Sequence, residues 1–439
     1  MAGGVSCFEH WSIRSPPLPQ RLINIQTTGG IEMIFVGVDW AEAHHDVCVL
    51  NAEGNVLGRK RIADNFVGLG ELHALVAQHL VDDDDADQVV IGIEKDRGLI
   101  VTALIAAGYQ VYGINPMASA RYRDRHHTSG AKSDPGDAKV LADLVRTDRQ
   151  NHRPVAGNSE LINGVQVLAR AHQNIIWSRQ RQVNTLRSAL KDYYPGALEA
   201  FGTDLSHMDA VAVLAAAPTP ALGRTLSRAK IVSALKRGGR QRKLDERAAQ
   251  IQAVLRREQL SQPPLLEDAY GKVTSSIVRT IAAMTTEINE LEGALSESFE
   301  QHPSAKVILS LPGMGTVLGA RVLGEFGDDP NRYCDAQSRK NYAGTSPVTK
   351  ASGKSRVVLA RHSRNRRLAD ALDRMAFCSL IASPGARRYY DEMRSREKSH
   401  QKAIRQLANR WVGILHTCLE RDCRYDEEIA WTIPKDIAA

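Results

Sequence analysis

KSDPGDAK, residues 132–139, is the stretch that decides the fold of this chain. Pro135 suits the first position of a helix, because the N–H that proline lacks would be unpaired there, and Asp134 then falls on the N-cap. Asp137 follows one turn later on the same face. Two carboxylates on one helix start can chelate Mg²⁺, which prefers oxygen ligands. Alternatively, Asp134 only caps the helix and Asp137 only interacts favourably with its dipole. Carboxylates elsewhere in the sequence decide between these two interpretations.

Two apolar segments upstream also end on carboxylates. Residues 34–39 predict a strand that ends at Asp39, and residues 89–94 predict a strand that ends at Glu94. The ends of strands and the starts of helices are where an α/β sheet gathers its ligands. Four acids placed in this order therefore indicate one acidic site more strongly than the helix pair does alone.

The segments around these acids predict an α/β domain that begins with a three-stranded antiparallel meander. Alternating and apolar runs predict strands, and apolar residues at helical spacing predict helices. The predicted strands cover 34–39, 45–50, 56–62, 89–94 and 109–114, and the predicted helices cover 66–80, 99–107 and the segment that starts at Asp134.

This arrangement resembles the RuvC/RNase H-like nuclease fold. Val-Gly-Val-Asp39 and Lys-Ser-Asp134-Pro-Gly-Asp137-Ala are similar to motifs of the DEDD transposases of insertion sequences (the one-ten/eleven-eleven family), and the resemblance covers about residues 33–419. It implies a DNA recombinase that holds Mg²⁺ (or Mn²⁺) with Asp39, Glu94, Asp134 and Asp137. It also implies DNA as a partner, a guide RNA encoded by the element, and a homo-oligomer, either a dimer or a tetramer.

The expected architecture is an α/β RNase H-like (RuvC-like) N-terminal domain, a helical coiled-coil middle and a mostly α C-terminal transposase domain. The expected boundaries are 1–32 for a disordered extension, 33–155 for the catalytic domain, 156–300 for the coiled coil, 301–400 for the DNA-binding domain and 401–439 for a final helix and tail.

Two segments of the middle region have heptad spacing, one over 161–190 and one over 277–295. They predict either two long helices packed on each other within one subunit or a dimerising coiled coil. The family resemblance favours a role in assembly.

The C-terminal region contains a proline-glycine turn that resembles a helix-hairpin-helix motif. Its sequence over 308–315 is ILSLPGMG. Gly313 and Gly315 would let backbone N–H groups approach a phosphate at the start of the next helix. A tight turn between two helices that binds no ligand is the alternative.

Ser352 is the expected nucleophile. A serine oxygen can attack a phosphodiester when a base or a metal takes its proton and cations hold the oxyanion. A Ser-Gly pair by itself indicates only a turn. The resemblance selects Ser352, because the family has a proposed nucleophilic serine in a matching Ser-Gly, and Ser346 is a weaker candidate. The resemblance further implies a site shared between subunits.

Residues 350–410 carry sixteen basic and five acidic side chains, while the whole 439-residue chain has a net charge of +7. A surface with this excess of one sign indicates contact with nucleic acid. The expected contacts are Lys350, Lys354, Arg356, Arg361, Arg364, Arg366 and Arg367.

The composition excludes several other classes. The six cysteines form no C-x-x-C pair, which argues against a zinc site or a disulfide framework and indicates a reducing cytosol. No apolar run is long enough for a membrane span, so the expected location is the bacterial cytosol or nucleoid. Three other functions stay open: a Holliday-junction-type endonuclease that uses metal and water, an actin-like ATPase, for which a second phosphate loop is missing, and a DNA-binding protein without catalysis.

Overall fold

The computed structural model describes residues 33–80, 86–126, 134–155, 157–353, 355–361 and 364–432. The predicted extension over 1–32 and the predicted phosphate contact Lys354 lie outside these ranges. The chain divides into two compact units, one of Met1–Ser159 with Asp329–Cys334 and one of Glu160–Asp328 with Asp335–Ala439. Apart from residues 156–159 and 329–334, the segments expected to form a coiled-coil middle and a C-terminal domain belong to the second unit.

The first unit contains a mixed sheet with helices on its faces, as the sequence predicts. The strands and helices match the expected order, with one additional helix, α3, and a short additional strand, β6. The elements are β1 (Ile34–Trp40), β2 (His44–Leu50), β3 (Val56–Ala63), α1 (Phe66–Ala77), β4 (Val89–Ile93), α2 (Leu99–Ala106), β5 (Gln110–Gly113), α3 (Pro116–His126), α4 (Asp134–Thr147) and β6 (Arg153–Pro154).

The sheet has the strand order β3-β2-β1-β4-β5-β6. β1, β4 and β5 are parallel, whereas β2, β3 and β6 pair with their neighbours in the antiparallel sense. Side chains of β1 alternate between two cores: Val36 and Val38 pack with residues of α1 and α2, and Phe35 packs with residues of α4. Because alternate residues share a face, Asp39 points to the face that α4 covers.

Two glycines let α4 approach this face closely. Gly37 of β1 pairs with Gly92 of β4 in the parallel ladder. A Cβ at Gly37 would lie 1.8 Å from the backbone oxygen of Ala138, and a Cβ at Gly92 would lie 2.6 Å from that of Leu141. Only glycine at both positions permits this packing, which carries the first turn of α4 towards the end of β1.

The second unit is almost entirely helical. Its elements are α5 (Glu160–Tyr193), α6 (Pro195–Phe201), α7 (Met208–Ala216), α8 (Pro220–Thr225), α9 (Arg228–Arg237), α10 (Leu244–Leu255), α11 (Pro264–Glu300), α12 (Ala305–Leu309), α13 (Thr316–Phe326), α14 (Ala336–Ala343), β7 (Val348–Ser352), β8 (Ser355–Leu359), α15 (Arg366–Ala382), α16 (Pro384–Ser395), α17 (His400–Glu420) and α18 (Glu427–Trp431).

The two segments with heptad spacing form the long helices α5 and α11, which pack against each other within the chain. Polar contacts tie them near their middles and at the C-terminal end of α5: Arg179 donates to Thr285 at 3.1 Å, and the hydroxyls of Tyr193 and Thr274 are hydrogen-bonded at 2.8 Å. The pairing within one subunit that the sequence left open is therefore present. Assembly between subunits stays a prediction.

Ser352 lies on a hairpin that stands clear of the helices around it. Among the described strands, β7 and β8 pair only with each other, with Ser352 opposite Ser355 at the tip. Nearly every described residue of the two strands is exposed, on both faces. In the described part of the chain, no helix is both long and apolar enough to cross a bilayer.

Candidate metal centre

A row of three charged side chains crosses the sheet on the face that α4 covers. Asp39 on β1 is the register partner of Asp46 on β2, and Asp46 is the partner of Arg61 on β3. Paired residues of an antiparallel ladder point to the same face, so a second carboxylate stands beside Asp39. Arg61 holds Asp46 through two contacts, Nη2 to Oδ2 at 2.7 Å and Nε to Oδ1 at 3.2 Å.

The other three predicted acids all lie close enough to Asp39 to act on its charge. Burial, followed in decreasing order of size by the charges of Asp137, Glu94, Asp134 and Asp46, together raises the pKa of Asp39 to about 6. Like charges disfavour the ionised form of a carboxyl group. Glu94, Asp134 and Asp137 therefore lie near enough to Asp39 to interact with its charge, and so does Asp46.

Each of the other three predicted acids contacts a polar or basic side chain. The contacts of Glu94 and Asp137 come from one helix. The Ser119 hydroxyl donates to Glu94 at 2.6 Å. Arg123 Nη2 lies 2.5 Å from Asp137 Oδ1. Both neighbours belong to α3, the helix that the sequence did not predict.

Asp134 lies near Asp46, and one arginine contacts both carboxylates. Arg61 Nη2, which holds Asp46, lies 3.4 Å from Asp134 Oδ2. Among the described residues, His44, Asp46 and Asp134 form a group whose ligand atoms all lie within 4.8 Å of one another. The four predicted acids do not form such a group; Ser119, Arg123 and Arg61 contact Glu94, Asp137 and Asp134 instead.

The donor set suits a hard divalent cation. The converging atoms are carboxylate oxygens with one imidazole at the margin, and oxygen is what Mg²⁺ and Mn²⁺ prefer. Asp137 is only 7% exposed, and its Oδ1 accepts no hydrogen bond from the residues that the structure describes. A buried carboxylate among other acids needs a positive charge nearby, which Arg123 supplies to Asp137 here and which a bound cation could supply to the cluster. The residues present therefore fit a metal site.

Register decides which side chains join this cluster, and single-sequence patterns do not reveal register. Asp46 lies on the predicted second strand and His44 just before it, yet nothing in the sequence marks Asp46 as the partner of Asp39. The available signal is weak: two acids on neighbouring strands of a meander can be placed opposite each other only if the turn length is known.

The two serine candidates differ in exposure. Ser352 is exposed at the hairpin tip. Ser346 is only 3% exposed, and its hydroxyl donates to Asn341 at 2.5 Å. A serine that is to attack DNA must reach the phosphate, so the structure favours Ser352 over Ser346.

The predicted phosphate contacts fall into two classes. Lys350, Arg356, Arg364 and Arg366 are exposed. Arg361 instead donates to Asn341 at 3.1 Å.

Arg367 belongs with Arg361, because it is held inside its own unit. It donates to Asn174 at 2.7 Å, and its guanidinium lies 5.1 Å from the centre of the Trp177 ring. These contacts tie α15 to α5, which gives Arg367 a structural role.

The proline-glycine turn joins α12 to α13, as expected. Gly313 has a φ of +77°, and a Cβ there would lie 2.8 Å from the backbone oxygen of Met375. Packing against α15 thus explains Gly313 without a ligand. Gly315 is exposed at the start of α13, where its surroundings are open, so it alone of the pair keeps room for a phosphate.

Comparisons with known proteins agree with this geometry. Residues 36–195 match a family model of DEDD transposases of the IS110 type, and residues 305–391 match the model "Transposase IS116/IS110/IS902 family". The chain is 42% identical to the "Mini-circle putative transposase for IS117" of Streptomyces coelicolor over 91% of this chain and 96% of that protein. It is 27% identical to the "Insertion element IS900 uncharacterized 42 kDa protein" of Mycobacterium paratuberculosis, over 89% and 97% respectively.

The matches cover both compact units, from β1 to the middle of α16. The identity to the Streptomyces protein extends over almost the full length of both chains. The chain belongs to the IS110 family of transposases.

Proposed function

We propose that this transposase cuts and rejoins DNA with a divalent cation held by Asp39, Glu94, Asp134 and Asp137. The observation that supports the proposal is the effect of the other acids on Asp39, whose pKa is raised to about 6 by burial and by their charges. A bound Mg²⁺ or Mn²⁺ would lower the pKa of the attacking oxygen and neutralise charge on the phosphate. The chain's own part is to hold the carboxylates at this spacing before the ion arrives.

Ser352 is the proposed nucleophile. Its Oγ loses a proton and forms a bond to phosphorus, and a deoxyribose oxygen leaves with the electron pair and takes up a proton. The phosphoserine diester conserves the energy of the broken bond, so a second DNA hydroxyl can attack it and release Ser352 without ATP. The exposed Lys350 and Arg356 on the same hairpin are suited to hold the phosphate oxygens.

Exposure of the hairpin on both faces supports DNA as its partner. An isolated two-stranded hairpin is marginally stable in water, and β7 and β8 pair with no other strand that the structure describes. A groove of DNA would cover one face and meet the basic side chains. The resemblance to the family further supports a structured guide RNA and a homo-oligomer; RNase-sensitive nucleic acid that copurifies with the chain would test the first, and light scattering the second.

Denaturing gels with end-labelled DNA test the mechanism. Asp39→Asn should abolish strand cleavage while binding of DNA is retained, and Ser352→Ala should remove the covalent protein–DNA adduct. Ser346→Ala is the matched control and should leave the adduct intact. Full cleavage by Asp39→Asn would refute the metal site. Cleavage without any adduct in the wild-type protein would instead identify a metal-dependent endonuclease in which water attacks.

A further inference from the structure

Helix α3 contributes two side chains to the carboxylate cluster, one helical turn apart. Ser119 and Arg123 are separated by four residues and therefore lie on one face of the helix. Ser119 contacts Glu94, which follows β4, and Arg123 contacts Asp137, which lies in α4. One rigid element thus reaches two acids that come from different parts of the chain.

Ser119 orients the carboxylate of Glu94. Its side chain is buried, with 2% exposure, and its Oγ lies 2.6 Å from Glu94 Oε1 and 3.0 Å from the backbone oxygen of Pro116. A hydroxyl has one proton to donate, and the shorter contact to a charged acceptor is the stronger one. This hydrogen bond occupies one oxygen of Glu94 and leaves the other for a ligand.

Arg123 places a positive charge beside the carboxylate of Asp137. Its side chain is 22% exposed, that of Asp137 is 10% exposed, and Nη2 lies 2.5 Å from Oδ1. Neither Asp137 Oδ1 nor Arg123 Nε takes part in a hydrogen bond with the described residues. The contact is therefore an attraction between charges without hydrogen-bond geometry, and another cation at the same oxygen would compete with it.

We infer that α3 controls the occupancy of the metal site through opposite effects of these two side chains. Ser119 is a positioning residue that turns Glu94 towards the ion. Arg123 supplies the positive charge that Asp137 needs while no ion is bound, and it competes with the ion for Oδ1. The inference rests on the proposed metal site and adds a resting state in which the protein neutralises its own cluster.

Titration of Mn²⁺ into the full-length protein, followed by the EPR signal of the free ion, tests both effects without DNA. Ser119→Ala should weaken Mn²⁺ binding by about tenfold or more, as is usual when a group that orients a metal ligand is removed. Arg123→Met should tighten binding by about fivefold, because a positive charge no longer repels the ion at short range. The melting temperature of metal-free Arg123→Met should fall, since Asp137 is left buried without a counter-charge.

Two further variants serve as controls. Arg121 is exposed on the same helix, so Arg121→Met should change neither the affinity nor the melting temperature. Arg123→Lys keeps the charge and should bind Mn²⁺ nearly as the wild type does.

Shifts of Ser119→Ala and Arg123→Met in the same direction, or no shift in either, would overturn the inference. Failure of the proposed function has a different signature: wild-type protein that binds no Mn²⁺, or that binds it equally well with Asp39→Asn.

Discussion

Gly37 and Gly92 are direct partners in the parallel ladder between β1 and β4, and the backbone of α4 lies against both. Asp39 stands two residues beyond Gly37 on the same face, and Asp137 immediately precedes Ala138, whose backbone oxygen lies over Gly37. The absence of two side chains therefore sets the height of α4 above the sheet and with it the separation of Asp39 from Asp137.

Gly37→Ala should displace α4 and disrupt the cluster. The new Cβ would meet the Ala138 oxygen at 1.8 Å, and backbone atoms cannot turn away as a side chain can. We expect a loss of about 3 kcal/mol in the free energy of unfolding, at the upper end of overpacking costs, together with loss of Mn²⁺ binding. Urea denaturation followed by circular dichroism measures the first.

Gly70→Ala is the matched control for this substitution. A Cβ at Gly70, within α1, meets no atom within 4 Å, so the change should stabilise the protein by up to about 1 kcal/mol. Equal melting temperatures for the two variants would contradict the role assigned to Gly37.

The metal-free protein should lose stability as the pH rises from about 4 to 6. Burial and neighbouring acids raise the pKa of Asp39 from 3.8 to about 6, so in this window the folded state binds more protons than the unfolded state does. The free energy of unfolding then falls with increasing pH. Thermal melts in EDTA at several pH values should show this fall, and Asp39→Asn should reduce it. An unchanged slope in the variant would exclude Asp39 as its source.

Glu325→Gln should destabilise the second unit. Glu325 on α13 is 3% exposed, and Arg170 of α5 donates to it at 2.7 and 2.9 Å, while Asn365 donates at 2.7 Å. Although burial opposes ionisation, these donors lower the pKa of Glu325 overall. Loss of the charge would remove the buried carboxylate that pairs with Arg170, at a cost of about 3 kcal/mol.

The control for Glu325→Gln is Glu420→Gln. Glu420 is 68% exposed and lies 3.7 Å from His416, and pairs at the surface contribute little. Urea denaturation should show a change below about 0.5 kcal/mol for Glu420→Gln. Similar losses of unfolding free energy in both variants would mean that burial does not make the contacts of Glu325 more stabilising than a surface pair.

Substitutions of basic residues in the C-terminal region should have two different effects, one on DNA binding and one on stability. Lys350→Ala and Arg356→Ala should each lower the salt dependence of DNA binding by about one unit of slope, because each removes one exposed phosphate contact. Arg367→Ala should leave that slope unchanged and lower the melting temperature, since Arg367 bonds to Asn174. Fluorescence anisotropy at several salt concentrations measures the slope, and a reduced slope for Arg367→Ala would reassign it to the DNA surface.

Much of the first unit was predictable, because its strands and helices follow simple periodicities. The meander, the strands that lead to Asp39 and Glu94, and the helix that starts at Asp134 all appear at the expected places, with boundaries shifted by one to three residues. The positions of the four acids at strand ends and at a helix start predicted a shared metal site, and that site stays a prediction.

The contacts around the acids were not predictable from the same patterns. Helix α3 has the mixed sequence PMASARYRDRH, with no apolar stripe to mark it, so Ser119 and Arg123 were missed. Asp46 and Arg61 join the site only through cross-strand register. Arg367 appeared to be one more surface cation, because its partner Asn174 lies far away in the sequence.

The exposed hairpin also bears on when the proposed chemistry can start. Val357, Val358 and Leu359 are 48%, 59% and 42% exposed, so in the free chain water surrounds the strand that supports Ser352. Binding of DNA to this hairpin would restrict its exposed side chains, and the entropy that they lose lowers the net free energy of binding. Under the proposed chemistry, Ser352 Oγ would reach its reactive position only after the substrate has bound. Phosphodiesters that the chain contacts only briefly would therefore not be cut.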